Sequence, residues 1–244
     1  MTQVVLLHAF PVNRHLWDAQ VEYLTKAGFK VTAPDLVGFG ESRTPQEPSL
    51  AQMAEQALQH VSRPAYFAGL SMGGYILMEI LRQAPELVDG AIFVDTKVTA
   101  DDSAAREQRL RVADEVLAAG HTRDLAQAML PKLLGATTLS QRPDVVATVR
   151  GWIEQAPPEA VASAQRAMAG RPDSTPTLRS YEGPAVVVWG SQDLVSPQPD
   201  QEVMLAAMPQ AVGREIPDAG HLSAVEAPDA VNDVFLEVLT DWTD

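Results

Sequence analysis

Ala68-Gly69-Leu70-Ser71-Met72-Gly73-Gly74 places a serine between glycines where the chain changes its hydrophobic period. Ala65-Tyr66-Phe67-Ala68 before it reads as a short buried strand, and Tyr75 to Leu81 after it carries apolar residues at helical spacing. The turn between them must be sharp. Gly69 and Gly73, two residues either side of Ser71, remove the side chains that would collide around a strained apex, which is the mechanical content of a Gly-x-Ser-x-Gly elbow. Ser71 is thereby a candidate nucleophile. A plain flexible turn has the same small residues, so the reading depends on partners elsewhere in the chain.

A serine hydroxyl becomes a useful nucleophile only when a base takes its proton, and that base needs a third group to fix its tautomer and stabilise its charged form. Ala185-Val186-Val187-Val188-Trp189-Gly190 is a second buried strand, and Asp193 follows three residues past its glycine. An acid there sits on the C-terminal edge of a parallel sheet. Gly213-Arg214-Glu215-Ile216 reads as another strand, after which Pro217-Asp218-Ala219-Gly220-His221 is a loop that lets an imidazole reach both partners. Asp95, closing Ala91-Ile92-Phe93-Val94-Asp95, leaves a strand on the same edge and is a rival acid, although Asp193 is favoured. Asp218 reads as a turn residue, His8 as a brace for its own loop, and His15, His60 and His121 as surface residues.

Two further segments make the pattern familiar. Leu6-Leu7-His8-Ala9-Phe10-Pro11 resembles a His-Gly-x-Pro oxyanion loop, and Asp35-Leu36-Val37-Gly38-Phe39-Gly40-Glu41-Ser42 resembles an Asp-x-x-Gly-x-Gly-x-Ser loop. With the elbow, the Gly-x-x-Asp segment and the Gly-His loop, nearly the whole chain resembles the α/β-hydrolase superfamily. The resemblance implies a catalytic triad of Ser71, Asp193 and His221, and an oxyanion hole from the backbone N–H groups of Phe10 and Met72. Ala9 departs from the pattern by standing where the family has glycine. Were φ > 0 required there, alanine would strain the loop.

The coarse order is strand 3–8, helix 15–27, strand 30–34, helix 50–61, strand 65–70, helix 72–84 and strand 91–95. It resumes with strand 185–190, helix 199–208, strand 212–216 and helix 227–241. Strands alternating with helices predict an α/β fold with a doubly wound, mostly parallel sheet of about six strands. The resemblance, set beside a first strand that feeds the oxyanion loop directly, implies a compact member without the family's two N-terminal strands. Between Asp95 and Tyr181 the alternation gives way to helical spacing: Leu110, Ala113, Val116 and Leu117, then Leu125, Met129 and Leu130, then Val145, Val149, Trp152 and Ile153. This is where the family inserts a helical cap. The expected organisation is a core of residues 1–96 and 177–244 with a cap of residues 97–176. Most of the cap's apolar positions pack it on the core, and Met129, Leu133, Trp152 and Met168 are candidates for a substrate-facing wall.

Composition bounds the rest. A chain of 244 residues, 46% apolar, can bury a substantial core, and no repeat or long linker divides it. The absence of cysteine excludes disulfides, thiolate metal sites and a cysteine nucleophile, and fits a cytoplasmic protein. Met1 to Leu7 lacks the basic and apolar regions of a signal peptide, and no apolar run approaches the ~20 residues of a membrane span. A net charge of −14 argues against nucleic acid and anionic membrane surfaces as partners. Residues 97–180 hold 11 Lys+Arg against 10 Asp+Glu, so a near-neutral cap would cover a core at −15; Arg106, Arg109, Arg111 and Arg123 read as a solvated face or a positive rim.

No His-Glu-x-x-His, Gly-x-x-x-x-Gly-Lys or Gly-x-Gly-x-x-Gly occurs, so no metal and no cofactor are expected. A serine rather than an aspartate at the elbow implies an acyl-enzyme. The Ser-Met-Gly-Gly elbow resembles the branch of small carboxylesterases, enol-lactonases and cofactor-free perhydrolases (haloperoxidase-like). The sequence thus points to a serine hydrolase for a small carboxylic ester, lactone or thioester. The alternatives are a C–C bond hydrolase or lyase on the same scaffold and a non-catalytic ligand receptor. The physiological substrate and the oligomeric state are not legible.

Overall fold

Apolar residues run almost unbroken through the four central strands, as strands covered on both faces require. The computed structural model describes residues 2–42, 47–61 and 63–243. Among them six strands form one sheet: β1 (Gln3–Leu7), β2 (Lys30–Thr32), β3 (Ala65–Leu70), β4 (Val88–Val94), β5 (Ala185–Gly190) and β6 (Val212–Ile216). All pairings are parallel, in the order β2-β1-β3-β4-β5-β6. Helices α1 (Asp18–Lys26), α2 (Leu50–Leu58) and α3 (Met72–Gln83) link the first strands. Six helices then separate β4 from β5: α4 (Ser103–Ala119), α5 (Arg123–Leu133), α6 (Ala136–Gln141), α7 (Pro143–Gln155), α8 (Pro158–Ala169) and α9 (Thr175–Ser180). The chain closes with α10 (Gln198–Ala207), α11 (Ser223–Glu226) and α12 (Pro228–Thr243).

The two-residue period of the strands divides the core in two. Val5, Leu7, Phe67, Phe93 and Val187 face α2, α3 and α10 in one cluster. Val4, Leu6, Ala68, Leu70, Ile92, Val94, Val186 and Val188 face α1 and α12 in the other. This is the doubly wound arrangement expected. Residues of α4 and α8 join the first cluster and residues of α5 and α7 the second, so the helical segment reaches both. No strand interrupts that segment among the described residues, and no helix there is long and apolar enough to cross a membrane.

Several boundaries differ from expectation, each for a local reason. The helix expected at 15–27 is a 3-10 turn, Arg14–Trp17, followed by α1. Strand β2 stops at Thr32, two residues before Pro34, which has no N–H to donate to a ladder. Strand β4 starts three residues early because exposed Asp89 and then Gly90 interrupt its apolar run without ending it. The final helix expected at 227–241 is α12, which starts at Pro228, a residue pre-set for a first helical turn, and the short α11 before it was not expected. Asp102 caps α4 by accepting from Ala105 N at 2.7 Å, and Gly120 ends it in the left-handed conformation, φ 66.

Backbone approach fixes how α3 meets the sheet. A Cβ on Gly73 would fall on the Leu7 carbonyl, and one on Gly69 would fall on the Gly73 carbonyl. Gly73→Ala should therefore destabilise the protein by about 1–3 kcal/mol, seen as a lower urea midpoint at unchanged slope. An unchanged midpoint would mean that the close approach imposes no constraint.

Candidate active site

Every strand from β1 to β6 except β2 ends on the same edge beside a residue picked out in the sequence. β1 leads to Ala9 and Phe10, β3 to Ser71, β4 to Asp95, β5 to Asp193 and β6 to His221. The chain moves outward from β1 to β2 and then returns to place β3 on the other side of β1. That reversal makes the carboxyl ends of β1 and β3 the topological switch point of the sheet, the usual place for a ligand in an open α/β fold.

Ser71 sits at the apex with φ 53 and ψ −111, a conformation that costs a non-glycine residue about 1–3 kcal/mol. Its backbone N–H donates to Val94 O (3.0 Å), and its carbonyl accepts from Gly74 N (2.9 Å) and Thr96 Oγ1 (2.8 Å). Both flanking segments are thus tied down. Met72 opens α3, where the first N–H groups lack intrahelical acceptors and the helix dipole favours negative charge. In the first loop, buried His8 donates from Nδ1 to Ala9 O (2.8 Å), and its Nε2 accepts from Leu36 N (2.8 Å). Burial, with smaller opposing contributions from Ala9 O and Asp35, lowers its pKa to about 4, so this ring braces the loop as a neutral imidazole. Ala9 does not adopt a positive φ, so the condition under which alanine would strain this loop is not met.

The imidazole of His221 lies between serine and acid. Its Nε2 is 2.8 Å from Ser71 Oγ, and its Nδ1 is 2.8 Å from Asp193 Oδ2. With Nδ1–H donating to the carboxylate, Nε2 is left to accept the serine proton. Asp193 Oδ1 accepts from Val195 N (2.7 Å) and Ser196 N (3.1 Å), and Oδ2 accepts from Ser196 Oγ (2.7 Å). Burial opposes ionisation of Asp193, yet His221 and these donors hold its pKa down at about 2. Burial likewise pushes His221 down, but Asp193, then Asp95 and Glu226, outweigh it and raise the imidazole above its ordinary value.

The rival acid serves the same loops without touching the imidazole. Asp95 accepts from Gly190 N (2.8 Å), Ser223 N (3.0 Å) and Ser223 Oγ (2.6 Å), which joins the ends of β4 and β5 to the segment after His221. Burial first, then the charge of Asp193, raises its pKa well above the carboxylate range. Asp218 is a turn residue at φ 60, bonded by Gln192 and Thr137. His15 and His60 are exposed and His121 is half-buried. Among the wall candidates, Leu133 and Met168 lie in the packed clusters and Met129 contacts both. Trp152 is half-buried and lines a cavity of about 110 Å³ with Val12, Asn13 and Phe39. Arg109 does not stand on a free rim: it pairs with buried Asp101, which Arg171 also holds at 2.8 Å.

Sequence reasoning missed Thr96, Ser196, Ser223 and Glu226. Ser196 alone had a local signal, an Asp-x-x-Ser turn in which the aspartate caps its own loop. Among the described residues, no cluster of three or more His, Cys, Asp or Glu is placed to hold a metal ion.

The family described as alpha/beta hydrolase fold matches residues 2–228. A pimeloyl-[acyl-carrier protein] methyl ester esterase of Yersinia pseudotuberculosis is 28% identical over 92% of this chain and 88% of its own length. A thermophilic esterase from Thermogutta terrifontis, solved with malate bound, is 37% identical at a TM-score of 0.95, covering 99% of this chain and 90% of that one. The enol-lactonase of Burkholderia xenovorans LB400 is 26% identical at a TM-score of 0.89, with 98% and 91% covered.

The two buried histidines should titrate oppositely. In NMR titrations His8 should stay neutral until about pH 4, whereas His221 should gain its proton above the ordinary histidine value of about 6.5. A protonated His8 at pH 6 would contradict the bracing role.

Proposed function

Because the chain belongs to the alpha/beta hydrolase fold family, we propose that Ser71, His221 and Asp193 form a catalytic triad. We further propose that this triad cleaves a small carboxylic ester, lactone or thioester through an acyl-enzyme. The observation that carries the reading is the continuous relay from Ser71 Oγ through His221 to Asp193, with both links at 2.8 Å. The esterase and enol-lactonase names of the relatives support the same reaction class.

In this mechanism Ser71 Oγ attacks the substrate carbonyl as its proton passes to His221 Nε2. Asp193 keeps Nδ1–H in place and stabilises the imidazolium that results. The N–H groups of Phe10 and Met72 receive the oxyanion of the tetrahedral intermediate, where preorganised donors are worth about 3–4 kcal/mol each. Collapse of the intermediate breaks the bond to the leaving alkoxide or thiolate, which takes the proton from His221. Water then gives a proton to the same nitrogen as it attacks the acyl carbonyl, and when the bond to Ser71 Oγ breaks the carboxylic acid leaves and His221 returns that proton to Oγ, restoring the serine.

Residues 97–176 act in this proposal as a cap over a core of 1–96 and 177–244. The near-continuous helix of that segment supports the division, as does the packing of α9 on α3 and α10, which ties the return of the chain to the core. Met129, Leu133, Trp152 and Met168 are its proposed substrate-facing wall, and the cytoplasm its proposed compartment.

A panel of short esters, lactones and acyl thioesters, run beside diketones and cyanohydrins, tests the reaction class. Turnover of an ester-type substrate that is lost in folded Ser71→Ala is expected. Turnover confined to the carbon–carbon substrates would overturn the proposal. Asp193→Asn should lower kcat by up to roughly 10⁴-fold, since an amide cannot stabilise imidazolium, and Asp95→Asn should cost far less. A larger loss in Asp95→Asn would move the acid one strand earlier.

The pH profile follows from the sign of the His221 shift. His221 must be neutral to act as base, and its pKa is raised. The rise of kcat/KM with pH should therefore be centred above about 6.5 and should disappear from the residual activity of His221→Ala. A profile that falls from pH 5 upward would rule out a histidine base.

A further inference from the structure

The segment on which His221 stands is gripped by a carboxylate that the relay does not use. Glu226, on α11, is buried at 6% exposure. Its Oε1 accepts from Gly220 N (3.0 Å) and Leu222 N (3.1 Å), the two backbone groups flanking His221. Its Oε2 accepts from Gly135 N (2.7 Å), at the junction of α5 and α6. One side chain therefore joins the loop of the proposed base to the proposed cap.

The backbone around this bridge is built for close approach. Neither Gly135 nor Gly220 has a positive φ, so neither needs glycine for conformation. They need it for space: a Cβ on Gly135 would lie 2.7 Å from Gln192 Oε1 and 2.9 Å from Gly220 N, and one on Gly220 would meet Gly135 N and lie 2.7 Å from the Leu134 carbonyl carbon. Beside them, Gln192 Oε1 accepts from Thr137 N (3.0 Å) and Gln192 Nε2 donates to Thr137 Oγ1 (2.8 Å). The start of α6 is thus docked on the loops that carry both His221 and Asp193.

We propose that Glu226 is a positioning residue that locks the α5–α6 junction to the His221 loop, so that displacement of the helical segment and displacement of the base are one event. The inference rests on the Ser71–His221 reading above. A carboxylate suits this task because both oxygens accept, and three N–H donors satisfy it without a cation. Glutamine cannot reproduce it: one oxygen becomes an NH₂ group facing an N–H. The titratable groups around His221 are Asp193 after β5, Asp95 after β4 and Glu226 on α11, with Asp218 on its own loop, and the first three favour its protonated form. Loss of the Glu226 charge should then be felt by the imidazole as well as by the loop.

The experiment compares wild type, Glu226→Gln and Gly135→Ala for ester turnover, pH profile and the NMR titration of His221. Glu226→Gln should lower kcat about 10- to 100-fold, the scale of an ångström-sized misplacement, with little change in KM. It should also move both the activity limb and the His221 titration to lower pH. Gly135→Ala keeps the carboxylate and pushes the junction off the loop, so it should lower kcat with less displacement of the titration. The double variant should lose less than the product of the two single losses, because both break one joint. Wild-type kcat and an unshifted His221 titration in Glu226→Gln would overturn the inference. Should Glu226→Gln fail to fold, Gly135→Ala decides: reduced kcat supports the lock, and unchanged kcat refutes it. The titration arm needs no turnover, so failure of the hydrolase reading would appear as an inactive wild type with the Glu226 shift still present.

Discussion

The turn from β3 into α3 leaves no room for a side chain at either glycine that flanks the elbow, and the site is arranged around that fact. Leu7, the last residue of β1, lies with its carbonyl against Gly73, so the α3 N-terminus and the first loop are brought together by backbone contact alone. Ser71 is forced into φ 53 and held there by Val94 O, Gly74 N and Thr96 Oγ1. Strain stored at one residue is sustained by neighbours from three other positions in the chain.

Charge is the second organising constraint. Three carboxylates, Asp193, Asp95 and Glu226, are buried near one imidazole, and the structure separates them by what they accept from. Asp193 alone reaches His221, Asp95 ties strand ends to Ser223, and Glu226 holds the backbone on both sides of the histidine. Two of them have opposite pKa shifts. Asp193 faces the histidine and three further hydrogen-bond donors that favour its ionised form, whereas Asp95 pays for burial beside another negative charge.

The central strands were legible because β3 and β5 are unbroken apolar runs bounded by glycine or a sharp turn; both match residue for residue. Strand β4 was read short because Asp89 and Gly90 look like a boundary, and its pairing with β3 through Gly90 is a tertiary choice. Ser71, Asp193 and His221 stood out because each follows a strand on one edge. The choice between Asp193 and Asp95 was not available locally: both leave strands on that edge, and only reach to the imidazole separates them. Glu226 had no visible signature, because its partners are backbone N–H groups, one of them 91 residues away.

The central claim is that Ser71 carries the acyl group during turnover. Its most direct measurement is rapid-quench intact mass and peptide mapping with an activated ester that the enzyme turns over. The account requires a transient mass increase equal to the acyl group, on the peptide that contains Ser71, formed in step with a burst of leaving group. An ester hydrolysed without an adduct in folded, active enzyme, or an adduct on another residue, would contradict it.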